Sequence, residues 1–235
     1  MEYLDESISA MVNKSNKREK AMRIWEEQLA EMIGKIPNES IEIGKEVYEM
    51  QKLLLFDDAI SIYIPAQFIE MPFDDIKLKY IHKLQPELVY ENKKRTINIS
   101  FFVIEEKLGK KQLPDIRNIM KDIFIKLNPI SKVFDHGEFI TKCENEVAYY
   151  SFDSPALVGQ MFSLVFIASL GEKTLVCSLN CIKKDMEEMK PLFYGIMKTL
   201  EFDRDPISEA LSTQEGVCEI DLFKFYGIFI LRYDK

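Results

Sequence analysis

Histidine and tryptophan are nearly missing from this chain of 235 residues, which holds only His82, His136 and Trp25. The two histidines stand alone, with no His-Glu-x-x-His pair and no Cys-x-x-Cys knuckle, so no metal site is expected. Glycine and proline are scarce at nine each, which excludes collagen-like and low-complexity chains. The four cysteines are Cys143, Cys177, Cys181 and Cys218. Cys177 and Cys181, four apart on a strand, face the same way two pleats apart, too far for a disulfide. All four read as free thiols in a reducing compartment. Long apolar runs are also lacking. The longest, 162–170 and 225–231, fall far short of the ~20 residues that span a bilayer. Residues 1–10 are acidic and lack a basic start followed by an apolar run, so no secretory signal is read. The expectation is a cytoplasmic chain that does not engage a membrane. Positive charge is in deficit. The net charge is −8 and the isoelectric point about 5.1, a field that repels a phosphate backbone, so no nucleic acid is expected as a partner.

What is present is a mixed alternation of helix and strand periods. The chain is 47% hydrophobic, and a chain of this size buries roughly 70% of its unfolded surface without staples. Trp25, Leu29, Met32, Ile33 and Ile36 follow helical spacing in a helix read from about Asn16 to Gly34, before Pro37. Its basic run Lys14, Lys17, Arg18, Lys20 and Arg23 precedes Glu26, Glu27 and Glu31 and reads as a solvated face, with an acidic partner as the alternative. The runs 53–56 and 60–64 flank Asp57-Asp58-Ala59 as a hairpin. Pro72, Asp74 and Asp75 read as a loop. The runs 87–90 and 96–104 flank Asn92-Lys93-Lys94 as a second hairpin. In the longer strand Ile97, Ile99, Phe101 and Val103 share one face, Asn98 and Ser100 the other. Pro114 opens a helix with the stripe Leu113, Ile116, Met120, Ile123 and Leu127. Strands are read at 132–139, 146–153, 158–169 and 174–182, with turns at Glu144-Asn145, Ser154-Pro155 and Gly171-Glu172-Lys173. The run 161–168 is apolar on both faces and belongs in the middle of a covered sheet. Asp185 and Glu188 form a capping-box pattern for a last helix. Its stripe is Met186, Met189, Phe193, Ile196, Met197 and Leu200, with Pro191 forcing a kink or a late start. Residues 203–215 read as a polar linker, and 217–233 as one or two apolar, aromatic strands.

No catalytic constellation emerges. Gly-x-Ser-x-Gly and the phosphate loop are absent. Asp135-His136 are strand neighbours or a turn before Gly137, and adjacent strand residues face opposite ways. Asp57-Asp58 and Asp74-Asp75 lack the spacing of a calcium loop and read as turn formers. Cys143 beside Lys142 is the one thiol with a neighbouring cation. The methionine-rich last helix reads as core, with an adaptable binding surface as the alternative.

The order of elements carries a resemblance. The strand Ile60-Ser61-Ile62-Tyr63-Ile64-Pro65 is followed by a hairpin, a helix, four antiparallel strands and a final helix. The closing strand Leu175-Val176-Cys177-Ser178-Leu179-Asn180-Cys181 runs into Lys184-Asp185-Met186-Glu187-Glu188. Over about 53–202 this resembles the PsbP-like (Mog/PsbP-like) α/β/α sandwich superfamily, in an uncharacterised bacterial branch. The resemblance implies an α+β fold with a central, mostly antiparallel β-sheet and helices packed on its faces, here with an N-terminal helical extension. It implies a binding module, since many members dock on other proteins, and it transfers no functional residue.

The expected organisation is 1–40 as the helical extension, 41–202 as the PsbP-like domain, and 203–235 as linker and apolar tail. The expected function is a non-enzymatic protein-interaction module, adaptor-like or chaperone-like, without cofactor. Its partner is a protein of unknown identity or a second copy in a homodimer. The candidate interaction surface is Trp25, Leu29, Met32 and Ile33 on the front helix, with Phe225 and Tyr226 on the tail. The alternative is a small-ligand-binding protein or hydrolase with its site in the sheet cleft.

Overall fold

The computed structural model of the chain describes residues 19–20, 22–38, 40–80, 85–104, 113–141, 144–156, 159–170 and 173–202. The front helix α1 covers 22–35. A small hairpin follows, β1 (Ile41–Ile43) and β2 (Glu46–Tyr48), then a larger one, β3 (Met50–Leu55) and β4 (Ile60–Pro65). After the two-residue β5 (Ile69–Glu70) and the short helix α2 (Phe73–Lys79) comes the hairpin β6 (Leu88–Glu91) and β7 (Ile97–Ile104). Helix α3 (Leu113–Leu127) leads to the long strands β8 (Val133–Ile140), β9 (Glu146–Ala156), β10 (Gly159–Leu170) and β11 (Lys173–Ile182). A 3-10 turn, Lys183–Asp185, opens α4 (Met186–Lys198), and β12 (Glu201–Phe202) follows.

The main sheet has seven strands in the order β5-β6-β7-β11-β10-β9-β8, every neighbouring pair antiparallel. A second sheet orders β12-β4-β3, and β1-β2 pair by themselves. The strand period of two sorts the central side chains onto two covered faces. Ile97, Ile99, Phe101, Phe162, Leu164, Phe166, Cys177 and Leu179 join the core formed with α4 and β4. Phe102, Tyr150, Phe152, Val165, Ile167 and Val176 join the core formed with α2 and α3. Val165 and Phe166 are each fully buried, on opposite faces, as a central strand covered on both sides requires. The fold is α+β, with a central antiparallel sheet and helices on its faces.

Several local readings change. The 72–75 segment is not a loop: Pro72 precedes α2, and Asp74 and Asp75 sit in its first turn, where the helix dipole favours carboxylates. Ser154-Pro155 is not a turn. β9 runs through it to Ala156 and pairs Ser154 with Met161 and Pro155 with Gln160. Asp185 caps α4 in position but makes no side-chain capping bond. Glu188 instead lies against Gly44 (φ +59) at the β1–β2 turn, where an added Cβ would sit 2.6 Å from its Oε2. Pro191 lies inside α4 and the helix continues past it to Lys198. The α3 stripe is rotated. Leu113, Ile116, Met120 and Phe124 are buried, while Leu127 is 45% exposed. Phe56 belongs to the β3–β4 turn, with Phe56, Asp57 and Asp58 all at positive φ (55, 57 and 65).

Candidate docking surface

Helix α1 lies on α4. Trp25 meets Tyr194 edge to face at 5.5 Å between ring centroids, and Lys190 Nζ stands 5.0 Å from the Trp25 ring. Contact at the C-terminal end of α1 is close because α4 presents Gly195 there. An added Cβ would lie 2.6 Å from Ile36 Cδ1 and 2.9 Å from Met32 Cγ. Ile36 is buried, so the end of the helix is anchored in the core. The rest of the stripe is only partly covered. Trp25, Leu29, Met32 and Ile33 are all half-buried, and Met22 and Ile24 beside them are exposed. Of the sequence-derived surface, these four share one flank of the molecule, while Phe225 and Tyr226 lie outside the described residues. Lys20 and Arg23 of the basic run are exposed, as a solvated face requires, and Lys14, Lys17 and Arg18 lie outside the described residues.

Polar side chains that the periodicity did not single out are gathered inside the sheet. On the α3 side, Asn180 of β11 is the hub. Its Oδ1 accepts from Ser163 Oγ at 2.6 Å and from Ser178 Oγ at 3.0 Å, and its Nδ2 donates to Asn98 Oδ1 at 2.9 Å. Ser100 donates to the Ser178 carbonyl. These residues are all buried, so the Asn98/Ser100 face is an interior face and not the wet side of a strand. The only advance signal was the repetition of Asn and Ser at alternate positions in two strands, since the sequence marked only the 161–168 run as covered on both faces. On the α4 side, the Tyr194 hydroxyl donates to Asp135 Oδ2 at 3.0 Å and lies 3.2 Å from Ser151 Oγ. Burial and the Asp135 carboxylate push the Tyr194 hydroxyl well above its usual range, so it stays protonated as a donor. Arg117, buried on α3, donates to the Gly137 carbonyl at 3.0 Å and pairs with Glu138.

The sequence motifs with chemical potential are dispersed. Asp135 and His136 lie within β8 and not in a turn. Asp135 faces Tyr194, its Oδ1 accepts the His136 N–H, and the His136 side chain is exposed. Cys177 and Cys181 are free and buried on one face of β11, and burial pushes the Cys181 thiol up to about 12 and the Cys177 thiol well above the ordinary range. Neither is a nucleophile near neutral pH. Cys143 and Cys218 lie outside the described residues. Lys198 is half-buried with its Nζ 3.6 Å from the centroid of the Phe139 ring, and desolvation lowers its ammonium to about 8. Among the described residues, no three His, Cys, Asp or Glu side chains group as metal ligands, and no helix is long and apolar enough to cross a membrane. A hollow of about 280 Å³ lies at the start of α3, lined by Leu113, Pro114, Glu138, Phe139, Ile140 and Glu146 among others. That is just under the ~300 Å³ at which small-molecule sites begin.

No family model matches the chain, and no curated protein matches it significantly. Solved structures do match. The solution structure of the cyanobacterial PsbP protein CyanoP from Synechocystis is 11% identical with a TM-score of 0.52, over 71% of this chain and 99% of that one. The Ran-binding protein Mog1p of Saccharomyces cerevisiae is 14% identical with a TM-score of 0.45, over 66% of this chain and 96% of that one. The Pseudomonas aeruginosa protein of unknown function PA94, a putative regulator, is 11% identical with a TM-score of 0.37, over 66% of this chain and 98% of that one.

Proposed function

Starting from its PsbP-like fold, we propose that the chain is a non-enzymatic protein-interaction module which docks a protein partner on the flank formed by α1 and α4. The observation that carries this reading is the half-covered stripe of α1. An apolar face of this kind is normally buried outright. Here Trp25, Leu29, Met32 and Ile33 keep part of their surface in water while Ile36 and Gly195 hold the helix in place. A helix pinned at one end with an unsaturated stripe presents aromatic and aliphatic anchors, with Lys190 and Arg23 as a cationic rim. Interfaces draw most of their energy from such anchors. Phe225 and Tyr226 extend the proposed surface from the tail. The compartment in this reading is the cytoplasm of a bacterium, where buried free thiols persist.

The test uses three versions of the full chain, immobilised and exposed to extract of the native organism: wild type, Trp25→Ala and Ile33→Glu. A protein retained by wild type is then produced pure and titrated against all three. The expected result is binding by wild type that weakens at least about fivefold in each variant, since removing an anchor costs more than ~1 kcal/mol. Equal affinity for all three would overturn the α1 site. Self-association that disappears in both variants would identify the partner as a second copy.

The alternative, a small-ligand protein, rests on the hollow at the start of α3. A ligand there would raise the melting temperature of the wild type but not of an Ala148→Phe variant that fills it.

A further inference from the structure

Cations withdrawn from water commonly meet a carboxylate in this chain. Lys35 meets Glu31, Lys79 meets Glu91, Arg117 meets Glu138 and Lys183 meets Asp153. Two lysines of α4 do not. Lys190 and Lys198 are both half-buried, and among the described residues neither forms an ion pair. Each lies over aromatic rings instead. Lys190 Nζ stands 5.0 Å from the centroid of the Trp25 ring and 5.8 Å from that of Tyr194, and Lys198 Nζ stands 3.6 Å from that of Phe139. A ring face attracts an ammonium but does not neutralise it. The three donors of each lysine are left to water or to an acceptor from outside.

The rings between the two lysines are continuous. Trp25 meets Tyr194 at 5.5 Å, Tyr194 meets Tyr149 at 5.6 Å, and Tyr149 meets Phe139 at 6.5 Å between centroids. Gly137 makes room for this line on β8, where an added Cβ would lie 2.8 Å from the Tyr149 hydroxyl. An aromatic strip therefore runs from α1 across α4 and β9 to β8, the last strand of the sheet. Its members Trp25, Tyr149 and Phe139 are half-buried, and an unmatched ammonium stands at each end. Carboxylates of the same flank do not answer these charges. Asp135 accepts from the His136 N–H and from the Tyr194 hydroxyl. Glu26 and Glu27 of α1 are exposed and form no ion pair with either lysine. On a chain of net charge −8, the two ends of the strip are a local reversal of the overall field.

We propose that the partner docked on this flank presents an acidic segment, with carboxylates held by Lys190 and Lys198 and an apolar side chain laid on the rings between them. This rests on the α1–α4 docking reading and adds the partner's charge to it. Each ammonium has already lost part of its water, so a carboxylate that joins it meets a smaller further desolvation cost and a stronger attraction than at a fully solvated lysine. Eight residues separate the two lysines, about 12 Å along the helix axis at 1.5 Å per residue. An extended segment covers that span in about four residues. A polyphosphate would meet the same two cations, but it would also carry its long run of charge across a surface of its own sign. The complementarity favours an acidic stretch of protein.

A phage library of random short peptides, selected on the full chain at low salt, tests the proposal. Enriched peptides are expected to carry two Asp or Glu residues about four positions apart with an apolar residue between them. The tightest is synthesised with a fluorescent label and titrated against wild type, Trp25→Ala and the double variant Lys190→Gln/Lys198→Gln. The double lysine variant should bind at least about fivefold more weakly and lose most of the salt dependence. Trp25→Ala should also weaken binding but keep the wild-type salt dependence. A peptide with its two acidic residues changed to lysine should bind Lys190→Glu/Lys198→Glu better than it binds wild type. Failure to enrich any peptide, or enrichment of neutral or basic ones, overturns the acidic partner, as does equal binding by wild type and both lysine variants. The α1–α4 site itself still stands if Trp25→Ala weakens those peptides, and falls with the proposal if it does not. A single-stranded DNA oligonucleotide that binds wild type more tightly than the peptide, and loses this in the double lysine variant, would overturn the proposal in favour of a nucleic acid.

Discussion

The two faces of the main sheet are built from the same strands by different chemistry. On the α4 face the central positions are almost wholly apolar, from Ile97, Ile99 and Phe101 through Phe162, Leu164 and Phe166 to Cys177, Leu179 and Cys181. That face is closed by α4, whose buried side chains are apolar apart from the Tyr194 hydroxyl, with Phe193 stacked on Phe162 at 6.2 Å. On the α3 face one half is apolar and the other is the Asn180-centred network. An apolar face tolerates any cover of matching shape. A polar one demands that each amide and hydroxyl keep its partner, so it specifies geometry more narrowly.

The largest expected effects test whether both faces are truly interior. Val165→Asp and Phe166→Asp should each abolish cooperative folding, because an uncompensated buried charge costs roughly 3–5 kcal/mol or more against a total stability of about 5–15 kcal/mol. Thermal melts check this. A variant that melts like wild type would show its face to be open to solvent.

A smaller loss should follow when the network is cut at its hub. Asn180→Ala removes the acceptor of the Ser163 and Ser178 hydroxyls and one donor to the Asn98 side chain, at about 1–3 kcal/mol in urea titration. Asn180→Leu should cost no less, because shape is kept but partners are not. If the leucine variant were as stable as wild type, the polar half of the α3 face would be chemically equivalent to the apolar half of the α4 face.

Gly195→Leu addresses the outer layer on the α4 side. The side chain would collide with Met32 and Ile36, at about 1–3 kcal/mol for overpacking. The emission of Trp25, the only tryptophan, should shift to longer wavelength as α1 lifts, with the far-ultraviolet signature of the sheet retained. An unshifted Trp25 spectrum would show that α1 is held mainly by its outer stripe.

The smallest effect is one of pH. Desolvation holds the Lys198 ammonium at about 8, below its ordinary value of 10.5, with the Phe139 ring as partial compensation. The folded state therefore binds fewer protons than the unfolded chain between about pH 8 and 10.5. This group's contribution to stability is least favourable below pH 8 and improves as pH rises through that window. Lys198→Met should remove that rise. The difference in melting temperature between variant and wild type, followed from pH 7 to 10, should narrow.

Much of the fold was legible in the chain because strands and helices announce themselves by period. The 161–168 run, apolar at every step, had to be a central strand, and Val165 and Phe166 are indeed buried on opposite faces. The two hairpins around Asp57-Asp58 and Asn92-Lys93 were readable from their turn residues, and at the second the Asn92 side chain accepts the Thr96 and Ile97 N–H groups. The front helix was legible too, with an apolar stripe at helical spacing. Three features were not. Helix α2 is seven residues long with two aspartates after a proline, and locally that pattern is a turn. Ser154-Pro155 carries turn chemistry, yet ten antiparallel pairs with β10 hold it in a strand. The α3 stripe slid from Leu127 to Phe124 because Phe152 offers a ring to pack against.

The sequence by itself determined the class of the fold, the central strand, the direction of the strand faces and the unfitness of its two central thiols for chemistry. These follow from period, length and burial, which are properties of neighbours along the chain. Only the tertiary structure decided which polar residues would meet. Asn98, Ser163 and Asn180 stand 82 and 17 residues from one another around the hub, and Tyr194 reaches Asp135 across 59. Such partners are set by strand order and register, which depend on the packing of whole faces and on no local run of residues.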